Sequence, residues 1–154
     1  MTFNPGGRAG RRICHLLPMQ KLSCVLLVDD DQATNYLNSL LLKRLGVADK
    51  LLVALNGQEA LDLLALHCQG AGKDCPVLIL LDVKMPVMDG FAFLEAYGKL
   101  PLEQRKATII VMLTTSLHPQ DVERVQRLSI ASFLNKPLTE TKFNDLLKEH
   151  FGQP

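Results

Sequence analysis

Short apolar segments alternate with longer amphipathic segments along most of this chain. The apolar segments lie at residues 24–28, 51–55, 77–81, 109–113 and 131–134, and most of them are continuously apolar. Such segments are typical of parallel strands buried on both faces, because a strand with one solvent-exposed face alternates apolar and polar residues. The alternation predicts five strand-helix units that form one parallel sheet.

Each of the five predicted helices carries an apolar stripe that we expect to pack on the sheet. The first helix is predicted to end at Gly46 and the fourth to begin at Pro119, residue types favoured at those positions. The stripes consist of Leu37, Leu40, Leu41 and Leu45, then Ala60, Leu61, Leu64 and Ala65, then Phe91, Leu94 and Tyr97, then Val122, Val125 and Leu128, and finally Phe143, Leu146, Leu147 and Phe151.

The order of these elements predicts an α/β fold. It is a doubly wound (βα)5 sandwich of three layers, in which a five-stranded parallel sheet has the order 2-1-3-4-5. Such sheets bind their ligands in the crevice outside the carboxyl ends of the strands. Functional residues are therefore expected directly after the strands.

Length and charge exclude several classes of protein. The chain has 154 residues, of which 47% are hydrophobic, which suits one globular domain. Its 17 Lys and Arg residues against 16 Asp and Glu residues give a net charge of +1, so no basic surface for nucleic acid is expected. The apolar segments are too short to cross a bilayer, and we expect a cytoplasmic protein with no membrane partner. We assign residues 1–20 to a flexible leader, 21–151 to the domain and 152–154 to a tail.

The four cysteines show no metal-binding or C-x-x-C spacing; they are Cys14, Cys24, Cys68 and Cys75. We expect them to be reduced and structural, as is usual in the cytoplasm. Cys68 and Cys75 flank a predicted loop at residues 69–76 and could pair on oxidation. Nothing in the sequence requires that disulfide.

Carboxylates follow the first and third predicted strands. Asp29, Asp30 and Asp31 follow the first strand directly, and Asp82 follows the third. Adjacent carboxylates repel one another unless a cation shares them, and these two strands are neighbours in the predicted order. Asp31 fits the N-cap of the next helix, so we expect the other three acids to hold a metal ion. Mg²⁺ prefers such an open set of carboxylates together with water and phosphate oxygens.

Hydroxyl groups and a lysine follow the last two strands. Residues 114–116 are Thr, Thr and Ser, whose hydroxyl groups can bind a phosphoryl oxygen, and Lys136 supplies a cation. With the acids, these are the groups needed to accept a phosphoryl group. Asp82 stands alone at its strand end and is the predicted nucleophile, whereas Asp29 and Asp30 are suited to hold the ion.

The motifs at the strand ends closely resemble those of receiver domains of two-component response regulators. The resemblance covers about residues 22–151 and implies a flavodoxin-like fold in a single-domain, chemotaxis-regulator-like protein. It implies phosphorylation of Asp82 by a histidine kinase or a histidine phosphotransfer protein. The matching motifs are Val28-Asp29-Asp30, Leu81-Asp82 with Met85-Pro86 and Met88-Asp89-Gly90, Leu113-Thr114, and Lys136-Pro137.

The resemblance also implies how the cofactor Mg²⁺ binds. Asp30, Asp82 and the main-chain carbonyl of Lys84 would be its ligands, and Asp29 would support the ion through water.

The resemblance further implies a phosphorylation switch. Thr114 would bind the acyl phosphate and move with it, and Lys136 would pair with a phosphate oxygen. Phe133 would be the aromatic switch residue, and the peptide bond before Pro137 would be cis. The surface formed by the fourth helix, the fifth strand and the fifth helix would then change and bind an unidentified downstream protein.

Three competing interpretations are less well supported by the residues at the strand ends. A flavin-binding protein of this fold needs an anion-binding loop after the first strand, where this chain has three acids. A phosphatase of the D-x-D type needs an acid at the position of Lys84. We expect a stand-alone phosphoacceptor without an enzymatic output domain, which assists its own phosphorylation and dephosphorylation. An inactive receiver-like interaction module remains the alternative.

Overall fold

The computed structural model describes residues 21–69, 74–105, 109–115, 118–128 and 131–152. The predicted leader, Cys14 and Ser116 lie outside these residues, and so does most of the predicted tail. Within the described part, no helix is long and apolar enough to cross a membrane. The helices are α1 (Gln32–Leu45), α2 (Gly57–His67), α3 (Gly90–Gly98), α4 (Pro119–Leu128) and α5 (Glu140–Phe151), with a 3-10 turn at Leu102–Gln104. The strands are β1 (Val25–Val28), β2 (Leu51–Ala54), β3 (Leu78–Asp82), β4 (Ile109–Thr114) and β5 (Ala131–Asn135).

The five strands form one parallel sheet in the order β2-β1-β3-β4-β5, which confirms the predicted topology. Their register aligns the carboxyl ends along one edge. Val28 pairs with both Ala54 and Leu81, Asp82 pairs with Leu113, and Thr114 pairs with Asn135. Side chains from four different strand ends are therefore brought to one edge of the sheet.

Two apolar clusters cover the two faces of the sheet. One contains Leu26 and Val28 and packs against α2 and α3, and the other contains Val25 and Leu27 and packs against α1 and α5. The strands β1 and β3 are buried throughout, as predicted. The prediction that the strands are buried throughout is wrong for β2, where Val53 is 45% exposed. This strand lies at the edge of the sheet, so part of it faces solvent.

Helix α1 packs differently from the prediction. Leu37 and Leu40 were expected in the core but are 62% and 44% exposed, and the buried residues of the helix are Asn35, Asn38 and Leu42. The prediction failed because it took the leucine-rich stripe as the inward face, while the helix turns two asparagines toward the sheet. The buried stripes of α3 and α5 match the prediction, at Phe91, Leu94 and Tyr97 and at Phe143, Leu146 and Leu147, whereas Ala65 of α2 is exposed.

A disulfide bond joins Cys68 and Cys75, which corrects the expectation that both are reduced. Cys68 follows the last residue of α2 and Cys75 lies shortly before β3, and their Cα atoms are 4.5 Å apart. The packing of α2 on the sheet places the end of this helix close to the start of β3. Cys24 is free and buried, and burial raises the pKa of its thiol to about 11.

Candidate functional site

Three carboxylates meet at the carboxyl ends of the adjacent strands β1 and β3. One oxygen from each of Asp29, Asp30 and Asp82 lies within 4.8 Å of the others. Asp29 and Asp82 are buried, with 4% and 8% of their surface exposed, whereas Asp30 is exposed. The cluster is therefore held firmly by two buried residues and open to solvent at the third.

Asp31 is not part of this cluster because it caps α1. Its carboxylate accepts hydrogen bonds from the backbone N–H of Ala33 at 3.0 Å and from the hydroxyl of Thr34 at 2.9 Å. The Thr34 hydrogen bond and then the Ala33 hydrogen bond hold the pKa of Asp31 below its usual value. The N-cap interpretation of this third acid is confirmed.

Lys136, which follows β5, places its ammonium group between two of the acids. Its Nζ lies 2.8 Å from Oδ2 of Asp29 and 3.0 Å from Oδ1 of Asp82. The lysine side chain is 20% exposed, so these charges interact through a medium less screening than water. Charge-assisted hydrogen bonds of this kind fix the lysine over the cluster.

Burial and the neighbouring charges have opposing effects on the pKa values of Asp82 and Lys136. Burial raises the pKa of Asp82, the hydrogen bond from Lys136 lowers it, and the charge of Asp29 raises it further, so that the pKa lies above the usual value. Burial would lower the pKa of Lys136, but the hydrogen bonds that its ammonium group donates to Asp29 and Asp82 outweigh this effect and raise the pKa. The cluster as a whole has three carboxylates and one ammonium group, an excess of negative charge that a divalent cation would neutralise.

The hydrogen bonds indicate which oxygens could ligate such a cation. Both oxygens of Asp29 are occupied, one by the N–H of Asp31 at 2.9 Å and the other by Lys136. Oδ1 of Asp82 accepts from Lys136 and from the N–H of Val83 at 3.0 Å. No hydrogen bond within the described chain reaches the carboxylate of Asp30 or the second oxygen of Asp82. This donor set, made of carboxylate oxygens beside open solvent, fits Mg²⁺.

The remaining predicted site residues lie on β4, on β5 and after β3. Thr114 is the last residue of β4 and is buried, and its carbonyl accepts the N–H of Lys136 at 2.8 Å. Phe133 pairs with Met112, two residues before Thr114, so Phe133 and Thr114 share one face of the sheet. Phe133 is partly buried against the cluster on that face. The Lys136–Pro137 peptide bond is cis, and Lys84 is exposed.

One residue near the site was not predicted from the sequence. Asn35 of α1 is 3% exposed, and its side-chain amide donates to the carbonyl of Asp29 at 2.8 Å. The available signal was a polar residue within an amphipathic helix, six positions after Asp29, but the expected leucine stripe placed it on the wrong face.

Comparison with known proteins relates this chain to one family. The sequence model of the response regulator receiver domain family matches residues 25–148 of this chain. The chain is 35% identical over 122 residues to the probable methanogenesis regulatory protein FilR2 of Methanothrix harundinacea, covering 79% of this chain and 75% of that protein. It is 33% identical over 135 residues to the two-component response regulator ARR22 of Arabidopsis thaliana, covering 86% of each chain.

Solved structures show the same architecture. A two-component response regulator from Cytophaga hutchinsonii aligns with a TM-score of 0.76 at 24% sequence identity, covering 86% of this chain and 99% of that one. The similarity extends over nearly all of the described residues and shows a shared fold.

Proposed function

This chain belongs to the receiver domain family of response regulators, and from that premise we propose that Asp82 accepts a phosphoryl group in a Mg²⁺-dependent reaction. The donor is a histidine kinase or a histidine phosphotransfer protein. The observation that carries the proposal is the position of the Asp82 carboxylate, 3.0 Å from the ammonium group of Lys136 and beside the carboxylates of Asp29 and Asp30. This combination provides a nucleophile together with groups that balance charge around a phosphoryl group.

Asp82 is suited to be the nucleophile because its backbone is fixed at the end of β3 and one of its oxygens accepts no hydrogen bond from the described residues. Oδ1 is held by Lys136 and Val83, and no described residue donates to the other oxygen. In the proposed step an oxygen of Asp82 forms a bond to phosphorus while the bond from phosphorus to the donor nitrogen breaks. The electron pair of that bond stays with the imidazole of the donor.

Lys136 and Thr114 are proposed to bind the transferred group. The ammonium of Lys136 lies within reach of an oxygen on Asp82 and would pair with a phosphoryl oxygen as a point charge. Thr114 ends the strand next to β3 and would donate its hydroxyl to another phosphoryl oxygen. Phe133 lies on the same face as Thr114, which supports its proposed role in transmitting the change to β5 and its neighbouring helices.

The acidic residues are proposed to hold Mg²⁺. Asp30, Asp82 and the carbonyl of Lys84 would be ligands, and Asp29 would act through water, because its oxygens already accept hydrogen bonds. When bound, Mg²⁺ neutralises negative charge on the phosphoryl oxygens and on the carboxylates. Asp29 meanwhile orients Lys136 toward Asp82.

The surface of α1 supports a protein as the donor. Its exposed apolar residues border a groove of about 590 Å³ between α1 and the start of α5. A second cavity shares Leu37 and Leu138 with this groove and reaches Lys136. An exposed apolar surface beside a reactive group is typical of a protein-binding site. We therefore propose that the donor docks along α1, so that its histidine approaches Asp82.

Acetyl phosphate and Mg²⁺ provide a direct test of the phosphoacceptor. We expect intact-mass spectrometry to show one added phosphoryl group on the wild-type protein and none on Asp82→Asn. Asp89→Asn is the matched control, because Asp89 caps α3 through the N–H of Ala92 and asparagine also caps helices. A wild-type protein that gains no mass, or an Asp82→Asn variant that gains as much, would contradict the proposal. The first result would favour the inactive interaction module instead.

A further inference from the structure

We propose that Asn35 is a positioning residue for the acidic cluster, an inference that rests on the proposed function of the Asp82 site. Asn35 lies in the first turns of α1, and 3% of its surface is exposed. Its Nδ2 donates to the carbonyl oxygen of Asp29 at 2.8 Å and approaches the carbonyl of Ala54 at 3.5 Å. The side chain thereby connects α1 to the ends of both β1 and β2.

The Asp29 carbonyl needs this donor because the chain leaves the sheet at this residue. The N–H of Asp29 still donates to Ala54 at 3.1 Å, in continuation of the ladder between β1 and β2. Beyond that bond the backbone turns into α1, and a buried carbonyl without a partner is costly. The side-chain amide of Asn35 donates to the Asp29 carbonyl in place of the missing strand neighbour. The backbone N–H of Asn35 donates separately to the carbonyl of Asp31 at 3.1 Å, as part of α1.

The other end of the Asn35 side chain shows why an amide is used there. Its Oδ1 is buried and accepts no hydrogen bond within the described residues. A leucine of similar size would fill this space without an unpaired acceptor. The benefit of asparagine at this position must therefore come from its donor group, which acts on the backbone of Asp29.

The position of that backbone determines the geometry of the site. The Asp29 carboxylate receives Lys136 on one oxygen and the N–H of Asp31 on the other, and Lys136 in turn contacts Asp82. Asp30, the exposed member of the cluster, is the next residue along the chain. A shift of the Asp29 backbone would displace Asp30 and Lys136 together, although the described hydrogen bonds of the Asn35 side chain reach only main-chain carbonyl groups.

The test compares Asn35→Leu with Asn38→Leu. Asn38 is also buried, lies one turn later on the same face of α1, and makes no described hydrogen bond to a strand end. We expect Asn35→Leu to weaken Mg²⁺ binding about tenfold or more, measured by titration calorimetry with Mg²⁺ alone, because residues that orient metal ligands typically have effects of this size. Asn38→Leu should keep the wild-type dissociation constant, even if both variants lose thermal stability. Equal dissociation constants in the two folded variants would overturn the proposal.

A second measurement separates this inference from the proposed function. In Mg²⁺-free ¹H–¹⁵N spectra, we expect Asn35→Leu to shift the amide signals of Asp29 and Asp31, and Asn38→Leu to leave these two signals in place. If wild-type protein binds no Mg²⁺, the proposed function fails, and these shifts alone decide the role of Asn35. If Asn35→Leu does not fold, Asn35→Ser takes its place, because its hydroxyl is too short to reach the Asp29 carbonyl in the same way.

Discussion

Lys136 donates a 2.8 Å hydrogen bond to Asp29, although the two residues are 107 positions apart and their strands, β5 and β1, are not adjacent in the sheet. The lysine side chain crosses the carboxyl ends of β4 and β3 to reach its partner and contacts Asp82 on the way. The ends of three strands, β1, β3 and β5, are thus linked through one ammonium group. Substitution of Lys136 or Asp82 should therefore change the stability of the protein.

Lys136→Met should destabilise the protein, because it leaves two buried carboxylates facing each other. We expect a loss of about 2 kcal/mol at pH 7, below the range for a fully buried pair because the Lys136 side chain is 20% exposed. The raised pKa of Lys136 means that its contribution is complete at neutral pH and is lost only as the pH rises through that pKa. Urea unfolding measures the loss.

The control for this prediction is Lys50→Met. Lys50 pairs with Asp74 at 3.3 Å, but both side chains are exposed, so its removal should cost less than about 0.5 kcal/mol. The loss in Lys136→Met should shrink near pH 3, where Asp82, whose pKa is raised by burial, is protonated. Equal effects of the two substitutions, or a loss that does not depend on pH in this range, would contradict the prediction.

Asp82→Asn should stabilise the Mg²⁺-free protein at neutral pH. Burial raises the pKa of Asp82 above its usual value, so the folded protein binds this proton more tightly than the unfolded chain does. As the pH rises from the pKa of Asp82 in the unfolded chain to its higher pKa in the folded protein, the unfolded chain loses its proton first. At neutral pH the buried, ionised carboxylate therefore lowers the free energy of unfolding. Asparagine removes this cost, and the advantage should vanish below the unfolded pKa. Thermal unfolding of both proteins at pH 7 and pH 3 tests this prediction. Addition of Mg²⁺ at pH 7 should raise the unfolding temperature of the wild type more than that of Asp82→Asn.

Much of the fold could be predicted because the buried strands are continuously apolar and the helices follow at regular intervals. The observed strands begin and end within one residue of the predicted ones. The rotation of α1 could not be predicted from hydrophobicity, because Asn35 faces inward to bind a backbone carbonyl that becomes available only where β1 ends. Leu37 and Leu40 are instead on the surface, where a partner protein rather than the core is the expected contact.

The site residues could be located from the sequence because parallel strands end at the same edge of the sheet. This rule places Asp29, Asp82, Thr114 and Lys136 near one another without any knowledge of side-chain conformations. Their roles in phosphoryl transfer stay predictions. Hydrogen bonds that occupy both oxygens of Asp29 depend on side-chain geometry, and the sequence contains no signal for them.

Gly90 should be essential for the packing around Asp82. A Cβ atom at this position would lie 2.7 Å from the carbonyl oxygen of Asp82, 2.6 Å from Cε of Met112 and 3.2 Å from Cα of Val83. Two of these are backbone atoms that cannot move aside cheaply, so Gly90→Ala should cost about 2 kcal/mol and weaken Mg²⁺ binding. Gly98→Ala at the other end of α3 meets no atom within 4 Å and should be neutral or slightly stabilising. Similar unfolding midpoints for the two variants would refute this argument.

The disulfide between Cys68 and Cys75 should stabilise the oxidised protein by restricting the unfolded chain. With a sequence separation of 7 it closes a short loop, for which the chain-entropy relation gives about 2 kcal/mol. The Cys68→Ala/Cys75→Ala double variant should lose about this amount in urea unfolding without dithiothreitol. Addition of dithiothreitol should lower the stability of the wild type toward that of the variant and leave the variant unchanged, because the variant lacks the bond between residues 68 and 75. Peptide mapping after alkylation of the unreduced, unfolded protein provides the independent check: if Cys68 and Cys75 are both alkylated, the bond is absent and no dithiothreitol effect should be seen.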